Sequence, residues 1–323
     1  MKRQSTQPMR LFFSNCSYRD NETIRQLTAK RFCMRLPTSH LPRVLAILTF
    51  ATLPMMANAG DRLLATGGVT QIEGAAGGGL MPWAVISGYG TDKQIGGSLF
   101  YTHAETRGDF KLDTTGVSLG FFNRVEVSAS QARFGLSDTV PGERIRLNTL
   151  GIKLRVLGDA VYEQDSWLPQ VSIGAQYKYN EDFNFVPKLL GASDRSGVDY
   201  YVATSKLFLG AINGYNLLLN ANLHATKANQ FGILGFGGDK HDSYRILPAV
   251  SAAVMLSDNW LIGTEFRDKP NNLSVYKEQS AYDIFMTWFP HRNVSLTGAY
   301  IDLGRIANKD NQTGWYLSGQ INY

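Results

Sequence analysis

Stretches of about ten residues in which apolar and polar side chains alternate one by one recur along this chain, and they limit its fold more than any other feature. Leu150, Ile152, Leu154 and Val156 alternate with Gly151, Lys153 and Arg155. Val171, Ile173, Ala175, Tyr177 and Tyr179 alternate with Ser172, Gly174, Gln176 and Lys178. From Tyr215 to Thr226 the polar partners are Asn216, Asn220, Asn222 and His224, with Leu218 breaking the pattern. Trp260, Ile262, Thr264 and Phe266 alternate with Gly263, Glu265 and Arg267. Successive side chains of a strand point to opposite faces, so each run is a strand with one apolar and one polar face. Helical spacing is sustained nowhere, and the expected fold class is all-β.

Such runs fall near 81–90, 94–104, 112–122, 124–134, 145–157, 168–180, 197–209, 214–226, 244–256, 259–268, 280–289, 292–302 and 313–323. Short connections at 90–93, Asn123, 210–214, 257–258 and 290–291 alternate with long polar ones at 135–144, 181–196, 227–243, 268–279 and 303–312. Residues 158–167 are the one irregular connection on the short side. Short turns at one end and long loops at the other are the asymmetry of an outer-membrane barrel. Aromatic residues beside the short turns (Phe121, Phe122, Tyr215, Trp260, Trp288, Phe289) match a girdle at a membrane interface. A soluble sandwich would also pair an apolar with a polar face, so the choice rests on the two ends of the chain.

At the N-terminal end, Arg43 precedes an apolar run from Val44 to Leu53, and Ala57-Asn58-Ala59 precedes Gly60. These are the three parts of a secretory signal peptide. The run is too short for a spanning helix, or for an anchor behind an N-terminal domain. Residues 34–59 are read as the signal and 1–33 as an upstream over-extension, since Met34 gives a leader of ordinary length. Without residues 1–59 the chain keeps 23 Lys and Arg against 25 Asp and Glu, so the pI near 9.1 belongs to the leader. A nucleic-acid partner therefore loses its support. Cys16 and Cys33 also lie in the leader, which leaves the mature chain without disulfide or thiolate chemistry.

At the other end, Trp315, Leu317, Gly319, Ile321 and Tyr323 share one face of a final strand. A chain closing on an amphipathic strand with a terminal aromatic resembles the assembly signal of bacterial outer-membrane barrels, carried here by Trp315, Leu317, Ile321 and Tyr323. The resemblance implies the barrel-assembly machinery and outer-membrane lipid as partners. Bacterial barrels have even strand numbers. The expected fold is a transmembrane antiparallel up-and-down β-barrel of about 14 strands over residues 81–323, with residues 60–80 as a first strand or a plug. The alternative is 12 strands, with everything before about residue 93 inside the lumen.

The stretch from Gly67 to Gly79 holds Gly67, Gly68, Gly74, Gly77, Gly78 and Gly79. It lacks the Gly-Lys-Ser/Thr ending of a phosphate loop, so its glycines are candidates for a plug or a bend in the wall. Residues 63–91, LLATGGVTQIEGAAGGGLMPWAVISGYGT, resemble the opening of an uncharacterised Gram-negative outer-membrane family, domain of unknown function 3034. The resemblance implies fold and localisation and carries no activity.

His103, His224, His241 and His291 are scattered, and the only serine to set beside His224 is Ser205, without a motif linking them. No catalytic role, cofactor or metal is expected. The candidate lumen lining is Lys153, Arg155, Lys178, Asn220, Asn222, His224, Glu265 and Arg267. A barrel of about 14 strands has room for such a lumen, which suits a channel or transporter for an unidentified small solute; the mixed charge argues against strong anion or cation selectivity, and a plugged lumen points to a substrate-specific transporter. The rival is a structural or adhesive surface barrel working through loops 181–196 and 227–243.

Overall fold

The computed structural model describes residues 61–307 and 309–323; the expected leader and over-extension, residues 1–59, lie outside the described residues. A two-residue ladder pairs β1 (Val69–Thr70) with β2 (Ala76–Gly77). The wall follows as β3 (Ile95–Thr106), β4 (Lys111–Phe121), β5 (Val125–Gly135), β6 (Arg144–Leu157), β7 (Gln170–Asn180) and β8 (Ser196–Ile212). It continues through β9 (Tyr215–Thr226), β10 (Arg245–Ser257), β11 (Trp260–Arg267), β12 (Ala281–His291), β13 (Val294–Asp302) and β14 (Thr313–Asn322). Each strand pairs antiparallel with the next, and β14 closes on β3 with Leu317 opposite His103.

The result is a closed barrel of 12 strands, the lower of the two expected numbers. The expected strand over 81–90 is not part of the wall. β14 already occupies the free edge of β3, and Pro82 has no N–H to give a ladder. The wall therefore begins at Ile95 rather than at residue 81, and residues 61–94 run inside the lumen.

The alternation is resolved by two solvents. Leu99, Val117, Val127, Ile152, Ile173, Val202, Leu219, Val250, Ile284, Leu296 and Leu317 are exposed on the outside of the wall, as hydrocarbon contact requires. Their neighbours Ser98, Ser118, Ser128, Ser172, Ser251 and Ser295 are buried within, as is Ser205 on β8. Phe122, Tyr215, Trp260 and Trp288 are exposed beside the short turns, and the Trp260 and Trp288 rings stack at 5.7 Å. Phe289 is a correction to the expected girdle. Next to an outward Trp288 in a period of two, it points inward and is buried against Phe285 and Leu261.

The tight turns carry their own chemistry. Asn213 and Gly214, both at positive φ, join Ile212 to its partner Tyr215, the two-residue hairpin that Asn-Gly favours. At the opposite end the loops fold over the opening. Phe110, Phe134, Phe183, Val186, Phe236, Leu273, Tyr276 and Ile306 form an apolar cap there.

Candidate functional site

An irregular segment inside a barrel has backbone groups with no ladder partner, and each must be satisfied or cost free energy. Here the inner wall supplies the partners. Residues 61–94 enter at the short-turn end, climb, reverse between β1 and β2, turn again over 78–81 so that Pro82 bridges Gly77 antiparallel, and return to that end to become β3. At their base Arg62 donates to the carbonyls of Ile86 (3.1 Å), Gly88 (3.3 Å) and Thr66 (2.9 Å).

Higher up, most of the expected lumen residues meet this plug or a side chain that does. Lys153 Nζ donates to Ala76 O (2.8 Å) and Val85 O (2.9 Å), and pairs with Glu126 at 3.2 Å. It thereby ties β2 and the stretch that returns past it to one wall position. Glu265 accepts from Leu80 N at 2.6 Å and Trp83 Nε1 at 3.1 Å. Asn222 Nδ2 donates to Pro82 O at 3.1 Å, while Asn220 Oδ1 accepts from Ser205 Oγ at 2.6 Å. Lys178 pairs with Glu73, and with Asp199 at 2.6 Å. Arg267 Nη1 pairs with Glu73 Oε2 and donates to Leu80 O, both at 2.7 Å.

Two members of the set stand apart. Arg155 lies at the short-turn mouth, paired with Asp159 at 2.7 Å. His224 is buried, its Nε2 without a hydrogen-bond partner. Ser205 sits opposite Asn220 in the register, whereas His224 sits opposite Tyr201 four residues along. Ser205 Oγ is engaged with Ala84 N at 2.9 Å as well. This geometry assembles no serine–histidine pair.

Glu73 is the centre of charge of the site and was not singled out from the sequence, because nothing local marks it. It is buried, and it also accepts from Gln71 Nε2. Glu126 was also missed, although Val125, Val127 and Ala129 on the other face of β5 turn it inward. It accepts from Ala76 N at 3.0 Å and Ser87 N at 2.9 Å.

The glycines let the plug run close to the wall and to itself. At Gly77 a side chain would meet Met81 O and the Cα of Pro82, at Gly78 the Glu265 carboxylate, and at Gly79 the Tyr316 ring. Gly67 lies against the Gly88 backbone, Gly68 against Val85 and Gly74 against Ser130. The plug tip then touches the cap. Ile72 and Leu80 pack on Phe231, whose ring lies 4.7 Å under the Arg267 guanidinium and whose carbonyl accepts from Lys178 Nζ at 3.3 Å. Among the described residues no group of three His, Cys, Asp or Glu could hold a metal ion.

On the final strand, Trp315, Leu317 and Ile321 are exposed on the outer wall. Tyr323 exchanges backbone hydrogen bonds of 3.0 Å with Gly97, and its carbonyl also accepts from Tyr89 N at 3.1 Å. The strand end thus holds the point where the plug passes into the wall.

No curated protein matches this chain. Among solved structures it is similar to the NanC porin, with 13% identity and a TM-score of 0.46 over 69% of this chain and 98% of that one. It is similar to Omp33 of Acinetobacter baumannii, with 9% identity and a TM-score of 0.42 over 72% and 100%. Outer membrane phospholipase A of Escherichia coli shows 11% identity and a TM-score of 0.36 over 70% and 89%. The family model described as protein of unknown function DUF3034 matches residues 66–320, and the chain belongs to that family.

Proposed function

We propose that this protein is a plugged outer-membrane barrel that transports small solutes, and that residues 61–94 are its movable gate. The observation that carries the reading is how the plug is held. In mid-lumen its polar wall contacts are hydrogen bonds and ion pairs from Lys153, Lys178, Glu126, Glu265, Arg267 and Asn222, all of which water can replace, beside apolar contacts of Met81 and Trp83 with Ala249, Ala253 and Phe285. Withdrawal of the plug leaves a hydrophilic passage through 12 strands. Cleavage near Ala59-Gly60 and delivery by the barrel-assembly machinery through the last strand belong to the same reading.

The rival reading, a structural surface barrel, is favoured by the apolar cap of Phe110, Phe134, Phe183, Phe236 and Tyr276. Single-channel recording separates the two. The refolded mature chain is expected to show rare, brief openings, and Glu73→Gln with Lys153→Met to lengthen and multiply them. Silence from both proteins, with heat-modifiable gel mobility showing intact barrels, would leave the structural reading standing.

A further inference from the structure

The lumen is polar through most of its height, but not at the short-turn end under β8–β12. There the inward positions are Leu207, Leu218, Met255, Leu261 and Phe289, facing Leu64, Val69, Trp83 and Val85 of the plug. Between wall and plug they leave a cavity of about 560 Å³. A close-packed interior leaves few voids larger than a water molecule, and a pocket of several hundred Å³ with apolar walls and a few polar groups is the size and chemistry of a small-molecule site.

The polar groups sit toward the mouth. Asp258 lies in the short turn between β10 and β11, Asn216 at the start of β9, and Thr66 at the base of the plug. The exposed Leu63 and Leu209 complete the lining there. The wall side chains that line the pocket face inward, so the barrel wall separates it from the hydrocarbon outside. A bilayer acyl chain has no path through a hydrogen-bonded wall, whereas a free solute can enter from the short-turn side.

We propose that this pocket binds a free, small, largely apolar molecule carrying at most one neutral or cationic group, the acidic Asp258 at the mouth disfavouring anions. The inference rests on the transport reading and names its substrate class. Because Trp83 and Val85 supply one wall and the barrel the other, an occupant touches both the gate and its frame. Displacement of the plug would carry the solute from an apolar entrance into the polar lumen.

The mature chain offers a direct reporter. Trp167→Phe, Trp260→Phe, Trp288→Phe and Trp315→Phe leave Trp83 as its sole tryptophan, buried beside the pocket and shielded from lipid. In lipid nanodiscs, bromobenzene should quench Trp83 with a saturable dependence. Filling the pocket with Leu218→Phe and Val161→Phe should weaken that dependence at least fivefold. As a second measurement on the otherwise unaltered mature chain, Met255→Cys should react with a maleimide, and benzene should slow the reaction at least threefold.

Non-saturable quenching equal in parent and filled variants, with no protection of the thiol, overturns the proposal. Quenching of Trp83 by acyl-brominated lipid with no solute added overturns it too, by assigning the pocket to lipid. Channel recording stays independent. Binding without openings removes the transport reading alone, and openings without binding remove this one.

Discussion

Arg267 on β11 and Glu73 in the plug, 194 residues apart in sequence, meet as a buried ion pair at 2.7 Å. Lys178 pairs with the same carboxylate from β7. Removing one partner of a buried pair costs about 3–5 kcal/mol, because the survivors keep a buried charge without its counterion. Glu73→Gln leaves Lys178 with Asp199, and Arg267 with the Leu80 carbonyl and the Phe231 ring but no counterion. The plug tip should loosen while the wall, which Glu73 does not join, stays intact. A cysteine replacing Ala75 should then be labelled at least tenfold faster in Glu73→Gln than in its parent, at unchanged heat-modifiable mobility. Equal labelling rates would mean that the plug is held by something else.

Lys153 offers a second test through coupling. Its ammonium holds Ala76 O, Val85 O and Glu126 together, and both side chains of the pair are buried. Lys153→Met strands a buried carboxylate, and Glu126→Gln a buried ammonium. The double variant strands neither, so its loss of stability should be smaller than the sum of the two single losses by about 0.5–3 kcal/mol, the range for residues in direct contact. Urea melts of the four proteins measure the difference. Strict additivity would show that the pair is not formed.

The wall was legible because two solvents impose a period of two on every strand, and one outward residue fixes its neighbours. Ile152 outside places Lys153 inside, and Val127 outside places Glu126 inside. The same rule, applied residue by residue, would have turned Phe289 inward beside Trp288. Residues 81–90 were not legible in this way. Leu80 to Ile86 form a nearly unbroken apolar run that reads as a buried strand. Their backbone partners are side chains far along the chain, Glu265 for Leu80 and Ser205 for Ala84. Local pattern carries no information about such partners. Glu73, held by Lys178 and Arg267, is hidden for the same reason.

The cap should respond to pH through Glu278. This carboxyl lies in the loop 268–280, accepts from Gln230 N at 3.0 Å, and faces Lys269, Tyr276 and, beyond Tyr276, Arg305. Burial pushes it up to about 7 from its ordinary 4.5, with Lys269 acting the other way. Between those values the closed cap keeps a proton that an open cap releases, so closure weakens as pH climbs from about 4.5 to about 7. Lys269, which also faces Arg267, Asp268 and Asp302, is lowered by burial to about 8 from 10.5. Above pH 8 the closed cap holds fewer protons than the open one, and rising pH favours closure again. Hydrogen exchange in 227–244 and 268–280, corrected for intrinsic rates, should therefore be slower at pH 5 than at pH 7.5. Glu278→Gln should abolish that difference, and a difference that survives it would assign the response elsewhere.

Glycine spacing in the plug makes a last, sterically simple prediction. A Cβ at Gly77 would collide with Met81 O and lie 2.9 Å from the Cα of Pro82, both backbone atoms of the returning arm. No side-chain rotation relieves that, so β1, β2 and the reversal between them must shift together. At Gly319 on β14 the nearest atom to an added Cβ is a Leu296 methyl at 3.7 Å, an ordinary contact. Gly77→Ala should therefore loosen the plug and raise labelling at residue 75 several-fold. Gly319→Ala should leave labelling and barrel stability within about 0.5 kcal/mol of the parent, as for surface changes that break no special feature. The opposite ordering would show that the close approach of Gly77 to Met81 and Pro82 is not what shapes the plug.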